Sequence, residues 1–218
     1  MRLRSVDVNM SPMIDFARYG VATVHEAMGR KGIIDIPLIQ VVPGSRAAGP
    51  ARTVRCGQND NLMVHAALSQ VLPGEVLVLT MPEPAPVSLL GELIAIQAAH
   101  RQVAAVLVDA AVRDVDELAV IRLPIWARWI RASGATKDSV GSINETVTVG
   151  GVNVNPGDIV VLDADGAVVV PARDQEATLK AAAERVARED EARELYRSGS
   201  LTYDLLGLRA KVEGSAQS

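Results

Sequence analysis

Aromatic residues make up only 3% of this 218-residue chain, which contains one phenylalanine and one cysteine. A core so poor in rings has to be assembled from Ala, Val, Leu and Ile, and the 49% hydrophobic content supplies ample material for it. Cys56 has no second cysteine with which to form an internal disulfide, and no His/Cys cluster at zinc spacing accompanies it. Its expected role is strand packing. Basic excess is also missing: the formal net charge is −4 and the pI is near 5.4, which leaves no footprint for DNA or RNA. The stretch MRLRSVDVNM is positively charged but has no apolar h-region, and the longest apolar runs are broken by Asp or Gly well short of a membrane span. These absences predict a soluble cytoplasmic protein with neither a nucleic-acid nor a membrane partner. No Gly-x-Gly-x-x-Gly, P-loop or Gly-x-Ser-x-Gly occurs, which disfavours dinucleotide, nucleotide and serine-hydrolase chemistry.

Residues 11 to 31 read as helices, with Ser11-Pro12 as cap and first turn. Thr23 and Glu26 stand at capping-box spacing for a second helix that Gly29 and Gly32 stop. Strands are expected at Ala51–Cys56, Val76–Thr80, Val103–Val108 and Ile125–Ile130. Between the first two, Asp60-Asn61 caps a helix carrying His65. A closely spaced β run follows at Val147–Val149, Val152–Val154, Ile159–Leu162 and Ala167–Val170, punctuated by Gly and Asp turns. Asp163-Ala-Asp-Gly resembles the start of a calcium loop, but no glutamate stands at the twelfth loop position, so a hairpin turn is expected. An Ala/Glu/Arg-rich helix runs from Asp174 to Arg197. The mixed order predicts a layered α/β domain rather than a doubly wound parallel sheet.

The densest chemistry lies between Gly91 and Asp114. Twenty residues separate Glu92 from Arg113, and Leu93–Ala99 reads as a helix followed by the strand at Val103–Val108. The chain therefore goes out and returns, bringing Glu92, Arg113, Asp114 and a free helix N-terminus to one sheet edge. A carboxylate pair can hold a divalent cation, and an arginine with open N–H groups can clamp an organic carboxylate. Structural explanations compete, since Glu favours a helix first turn and Asp often caps the next helix.

The segments Gly20-Val-Ala-Thr-Val-His-Glu-Ala-Met-Gly-Arg, Gly57-Gln-Asn-Asp-Asn-Leu-Met-Val-His, Gly91-Glu92, Val108-Asp-Ala-Ala-Val-Arg-Asp and Gly151-Val-Asn-Val-Asn-Pro-Gly-Asp together resemble the 4-hydroxy-4-methyl-2-oxoglutarate/4-carboxy-4-hydroxy-2-oxoadipate aldolases. The likeness covers about residues 17 to 209. That superfamily also includes a regulator of ribonuclease activity, which acts by protein contact. The family's signature is an acidic residue, twenty residues, then Arg-Asp; Glu92, Arg113 and Asp114 fill it, with Glu where the best-known aldolases carry Asp.

The resemblance implies a single domain over 1–218, with a β/β/α swivelling-domain-like core of mixed sheets at about 17–173, N-terminal helices, and a C-terminal helix and tail at 174–218. It also implies a class II pyruvate aldolase dependent on Mg²⁺ or Mn²⁺, with accompanying oxaloacetate decarboxylase activity. Asp114 would be the direct metal ligand and Glu92 would act through metal-bound water. Arg113 would bind the pyruvyl end and stabilise the enolate, with backbone N–H groups around Gly91, Leu93 and Ile94 assisting. The base would be a water relayed through Glu92 or Glu26, the latter supplied across an interface of a homotrimer or hexamer. Asn61 and His65, at i and i+4, would contact substrate; a hydrogen-bonded core histidine is the competing explanation, as a solvated helix face is for Glu189 and Glu191. Ala111, Gln102 and the three-proline loop from Met81 to Leu90 depart from the family pattern beside the pocket, so the acceptor end of the substrate is where this chain should differ. The alternative is a non-enzymatic binding protein like the ribonuclease regulator, a shorter chain that lacks a tail such as Arg188 to Arg209.

Overall fold

The computed structural model describes residues 11–214. In chain order the elements are α1 (Ser11–Ala27), β1 (Ile39–Gln40), β2 (Ala47–Arg55), α2 (Leu62–Leu68), β3 (Val76–Thr80), β4 (Ser88–Leu90), α3 (Glu92–His100), β5 (Ala105–Val112), α4 (Val115–Ile121), β6 (Ile125–Ile130), β7 (Ser142–Ile143), β8 (Val147–Val149), β9 (Val152–Val154), β10 (Ile159–Asp163), β11 (Gly166–Val170), α5 (Gln175–Arg197), α6 (Thr202–Leu205) and α7 (Leu208–Gly214).

The main sheet is mixed, in the order β1-β6-β5-β3-β2-β10-β11, with β4 beside β5 and β7 beside β2. Strands β2, β3, β5 and β6 are parallel, whereas β1 and the β10–β11 hairpin join antiparallel. Parallel neighbours covered on both faces need apolar side chains at every position, and β3 and β5 are buried throughout. Successive residues face opposite layers. Leu77 and Leu79 pack with Val64, Ala67, Ala95 and Ala98 of α2 and α3, while Val76 and Val78 pack with Trp126, Val149 and Leu162 on the other side. A third cluster places Phe16, Val21 and Val24 of α1 on Ile159, Val161, Val168 and Val170. The scarcity of rings is met by aliphatic packing, and Trp126 is fully buried with its indole N–H donating to the Asp163 carbonyl at 2.8 Å.

The capping box expected at Thr23 and Glu26 does not form. Gly20 breaks α1 with φ 80°, so the second stretch of helix begins at Val21, whose N–H donates to Asp163 Oδ2 at 2.9 Å. Thr23 already lies inside the helix, and a Cβ at Gly20 would fall 2.5 Å from the same carboxylate oxygen. Glu26 instead meets Arg30 at 3.0 Å and Arg185 of α5 at 3.7 Å. Asp163 therefore caps a helix from a distance, and the Asp163–Gly166 turn is a hairpin, as its sequence suggests. Strand β2 begins at Ala47 rather than Ala51, because Ala47–Pro50 pair with β10 before the strand turns to β3. Cys56 lies just past its end, 2% exposed; burial, followed by the nearby Asp60 charge, pushes its thiol up to about 12 and makes it unreactive. Among the described residues no helix is long and apolar enough to cross a membrane.

Candidate active site

Strands β4 and β5 and helices α3 and α4 converge on a cleft of about 380 Å³. Strand β4 sets its floor. Asn61 donates through Nδ2 to the Leu89 carbonyl at 3.1 Å, Ser88 Oγ donates to the Leu90 carbonyl at 2.9 Å, and Arg113 N–H donates to the Leu90 carbonyl at 3.1 Å. The chain is thereby held where Gly91 can serve as the N-cap of α3, in extended backbone open to any residue. Glycine is required there for space: a Cβ would lie 2.5 Å from Asp114 Oδ2 and 3.0 Å from Arg113 Cγ.

Asp114 occupies the left-handed region, φ 59°, at the N-cap of α4. Its Oδ2 accepts the Glu92 N–H at 3.1 Å and faces Arg113 Nε at 3.5 Å, whereas Oδ1 has no partner among the described residues. Arg113 runs between Gly91 and Gly134, where a Cβ at Gly134 would be 2.8 Å from Nη1. The side chains of Arg113 and Asp114 remain 48% and 38% exposed, so both face solvent in the cleft rather than the core. Glu92 also lines it, and the first-turn N–H groups of Leu93 and Ile94 have no acceptor within their helix.

The wall opposite is built on a buried carboxylate. Asp60, 0% exposed, accepts from Leu62 N at 2.8 Å, Thr136 Oγ1 at 2.7 Å, Asp138 N at 2.6 Å and Ser139 N at 3.2 Å. Burial by itself would raise its pKa; these bonds outweigh burial and hold it at about 2. Asp60 thus ties the start of α2 to the loop over 134–139, and with it Lys137, which reaches the cleft. His65 projects from α2 into the same space. Burial, then the charge of Lys137, lowers its pKa, which favours neutral imidazole, and its Nε2 is buried without a hydrogen-bond partner. Asn61 Oδ1 is likewise buried and unpartnered. The wall of the cleft thus carries two buried polar atoms that the described residues leave unsatisfied.

The cleft therefore gathers Gly91, Glu92, Leu93, Ile94, Arg113, Asp114, Asn61 and His65, as the sequence suggested. It does not include Glu26, which lies on α1 among Arg30 and Arg185 outside the cleft of its own chain. Glu117, Gly134 and Lys137 line it and were missed by sequence reasoning. Glu117 carried a signal, because Asp114-x-x-Glu117 has capping-box spacing and so shares a helical turn with Asp114; Gly134 and Lys137 carried none. Outside the cleft, His25 Nδ1 lies 3.0 Å from the Lys31 carbonyl, and Glu189 pairs with Arg185 at 2.8 Å on the α5 surface. A larger groove, about 680 Å³, lies beside Met28, Lys31, Asn155 and Arg173. Size does not make it the site, since its Asp158 is fully engaged by Asn155 and the Ala172 N–H.

The donor set decides which cation could be held. Among the described residues no three His, Cys, Asp or Glu side chains are arranged to enclose an ion. Zinc-type cages are therefore not built here, whereas Asp114 with its open Oδ1 and the neighbouring Glu92 fit a hard cation that takes one or two carboxylates and keeps much of its water.

The fold and cleft define a mixed α/β protein whose arginine, carboxylates and free helix N-terminus suit a small organic anion. The chain belongs to the RraA-like family, whose model, described as Aldolase/RraA, matches residues 21–169. A relative in Halalkalibacterium halodurans named "Putative 4-hydroxy-4-methyl-2-oxoglutarate aldolase" is 33% identical over 168 residues, 77% of this chain and 78% of its own. Streptomyces coelicolor RraAS2, described as an unusual member of the RNase ES inhibitor RraA protein family, has a TM-score of 0.75 at 27% identity, covering 84% of this chain and 96% of that one. The RNA-processing inhibitor RraA from Thermus thermophilis has a TM-score of 0.58 at 30% identity, covering 62% and 81% respectively.

Proposed function

We propose that this chain is a divalent-metal-dependent pyruvate aldolase, a carbon–carbon lyase of class II type. It would cleave substrates such as 4-hydroxy-4-methyl-2-oxoglutarate or 4-carboxy-4-hydroxy-2-oxoadipate to pyruvate and a second oxo acid. The observation that carries the reading is the arrangement of Asp114, Arg113 and Glu92 around Gly91, at the mouth of a cleft with a free helix N-terminus. Mg²⁺ or Mn²⁺ held directly by Asp114, with Glu92 acting through water, would supply Lewis-acid stabilisation of negative charge on the keto oxygen.

The protein groups divide the remaining work. Arg113 and the N–H groups of Leu93 and Ile94 bind the pyruvyl carboxylate and keto oxygen, fixing the carbon chain in the cleft. Glu92, or Glu26 from a neighbouring protomer, takes the proton from the C4 hydroxyl. As the C4 carbonyl forms, the C3–C4 bond breaks and its electron pair passes to the pyruvyl fragment as an enolate. Arg113 stabilises that charge until C3 is protonated and pyruvate leaves. Oxaloacetate decarboxylation would pass through the same enolate, with carbon dioxide leaving in place of the oxo acid. Asn61 and His65, which line the cleft, would contact substrate.

A homotrimer or hexamer is part of the same reading. Support comes from the C-terminal tail, where Leu195, Leu201, Leu205, Leu206 and Val212 are between 47% and 63% exposed on a single chain, together with the placement of Glu26 outside its own cleft. Light scattering that reports an active monomer would exclude Glu26 as a contribution in trans.

The experiment is an assay of pyruvate release from 4-hydroxy-4-methyl-2-oxoglutarate and from oxaloacetate, with Mg²⁺ and after EDTA. Metal-dependent release that disappears in Asp114→Asn supports the proposal. The second reading, a non-enzymatic binding protein, is favoured by the structural relative described as an RNA-processing inhibitor and by the one described as an unusual member of an RNase inhibitor family. Inhibition of a ribonuclease by a chain that releases no pyruvate would select it.

A further inference from the structure

Strand β5 is apolar along its whole buried length except at Asp109, whose side chain is 5% exposed and has no part in the proposed chemistry. Arg128 Nη1 of β6 donates to Asp109 Oδ1 at 3.0 Å, and Arg128 Cζ lies 4.9 Å from the ring centre of Trp129. The pair stands at a β-bulge. Val108 is aligned with Ala127 and Ala111 with Trp129, so Asp109 and Ala110 together oppose Arg128. We propose that Asp109 and Arg128 are positioning residues that lock this bulge, and that the bulge sets where Arg113 and Asp114 enter the cleft. The inference rests on the aldolase reading for what those last two residues do there.

The stretch just beyond the bulge carries the mouth of the cleft. Ala111 and Val112 pair with Ser88 and Leu90 of β4 on one side and with Trp129 and Ile130 of β6 on the other. The Arg113 N–H then donates to the Leu90 carbonyl at 3.1 Å, next to Gly91. Losing the extra residue would slide this stretch along β6 by one position, about 3.3 Å, and β4 would be carried with it. A misplacement of only about 1 Å already costs on the order of 10²-fold in rate. Stability alone does not account for the pair. Burial pushes the Asp109 carboxyl up, against the pull of the Arg128 charge, and apolar side chains of similar volume are often at least as stable in such a place as a buried ion pair. What the pair adds is register. A slip between β5 and β6 would separate a buried carboxylate from its guanidinium, whereas the aliphatic neighbours of Asp109 discriminate poorly between one register and the next.

The test is binding of Mn²⁺ and of pyruvate to the intact chain, the first by electron paramagnetic resonance of the free ion and the second by calorimetry at saturating Mn²⁺. The double variant Asp109→Leu/Arg128→Met removes both charges together and strands neither, so urea unfolding should place it near the wild type. In that folded variant Mn²⁺ and pyruvate should each bind about 10-fold more weakly or worse, and kcat for pyruvate release should fall by roughly 10²-fold, because Arg113 and Asp114 are displaced. Arg128→Lys keeps a cation against Asp109 and should retain most of the wild-type affinity. A purely structural pair would leave both affinities unchanged in a variant of unchanged stability. Should the double variant fail to fold, Asp109→Asn carries the same test on a side chain of the same shape: with an unchanged circular dichroism spectrum, it should bind Mn²⁺ and pyruvate more weakly. Wild-type affinities in the folded double variant, or in Asp109→Asn where that variant decides, overturn the inference and leave the aldolase reading standing. A wild type that binds neither Mn²⁺ nor pyruvate overturns both.

Discussion

Gly91→Ala is the sharpest perturbation of this site that leaves its charges in place. At φ −139° and ψ −169° the backbone accepts alanine without strain, so the substitution acts only through the added methyl. That methyl would sit 2.5 Å from Asp114 Oδ2, where ordinary contact begins near 3.4 Å, so the carboxylate has to retreat by about 0.9 Å. Arg113 is displaced with it, since Cγ and Nε lie at 3.0 and 3.1 Å. Misplacement of catalytic groups by about 1 Å costs on the order of 10²-fold in rate. We therefore expect kcat/KM for pyruvate release to fall by roughly 10²-fold, with the thermal midpoint little changed because both displaced side chains already face the cleft. Titration with Mg²⁺ should show weaker metal activation as well. Gly134→Ala is the comparison: its methyl meets only the flexible end of Arg113, at 2.8 Å from Nη1, and should cost less. Wild-type kinetics in Gly91→Ala would show that the Arg113–Asp114 pair is not where the chemistry occurs.

Other substitutions separate the remaining roles. Asp114→Asn should keep the fold and abolish activity, whereas Asp114→Ala should also lose about 1–2 kcal/mol of stability in urea unfolding, because alanine tolerates the left-handed backbone at φ 59° poorly. Arg113→Lys keeps the charge but loses the planar fork, so steady-state kinetics should show KM raised and kcat lowered together. Glu92→Gln should mainly lower kcat, by roughly 10²–10⁴-fold; an unchanged kcat would move the base to Glu26. Asp60→Asn puts an NH₂ donor where Oδ2 accepts from Thr136, Asp138 and Ser139, or, if flipped, where Oδ1 accepts from Leu62, and should destabilise by roughly 3 kcal/mol. Because the native carboxyl titrates at about 2 instead of 3.8, that stabilisation is present above about pH 4 and is lost as pH falls towards 2, so the gap between wild type and Asp60→Asn in urea unfolding should narrow over that interval.

Much of this was legible in the sequence where local signals and tertiary contacts agree. Val76–Thr80, Ile125–Ile130, Val147–Val149 and Val152–Val154 match the structure at both ends, since turn residues or charged breaks bound each β-branched run. Strand β4 was hidden in the loop of Pro82, Pro84 and Pro86 because three residues have no readable period, although it pairs with β5 and carries Gly91 to its place. Helix α4 was not delimited for a related reason: at seven residues it is too short for a readable period, although Asp114 at its N-cap is a residue type that helix starts favour. The capping box at Thr23 failed because a distant carboxylate, Asp163, supplied the cap first. In the site, Glu92 and Asp114 were readable because one strand and one helix return the chain to its own edge. Lys137 and Gly134 were not, since they arrive from a loop whose anchor, Asp60, is 78 residues away from Asp138 in sequence. Gln102 adopts φ 58° at the turn after α3 and accepts the Gly74 N–H on its carbonyl at 2.8 Å.

An aldolase cleft of this kind must make and hold a pyruvate enolate. The direct measurement is proton NMR of pyruvate in D₂O with the protein and Mg²⁺, following loss of the C3 methyl signal as deuterium exchanges in. It needs no knowledge of the physiological acceptor. The prediction is exchange well above the protein-free rate, stopped by EDTA, absent in Asp114→Asn and strongly reduced in Gly91→Ala. Exchange no faster than in buffer, or equally fast after chelation and in Asp114→Asn, would contradict it.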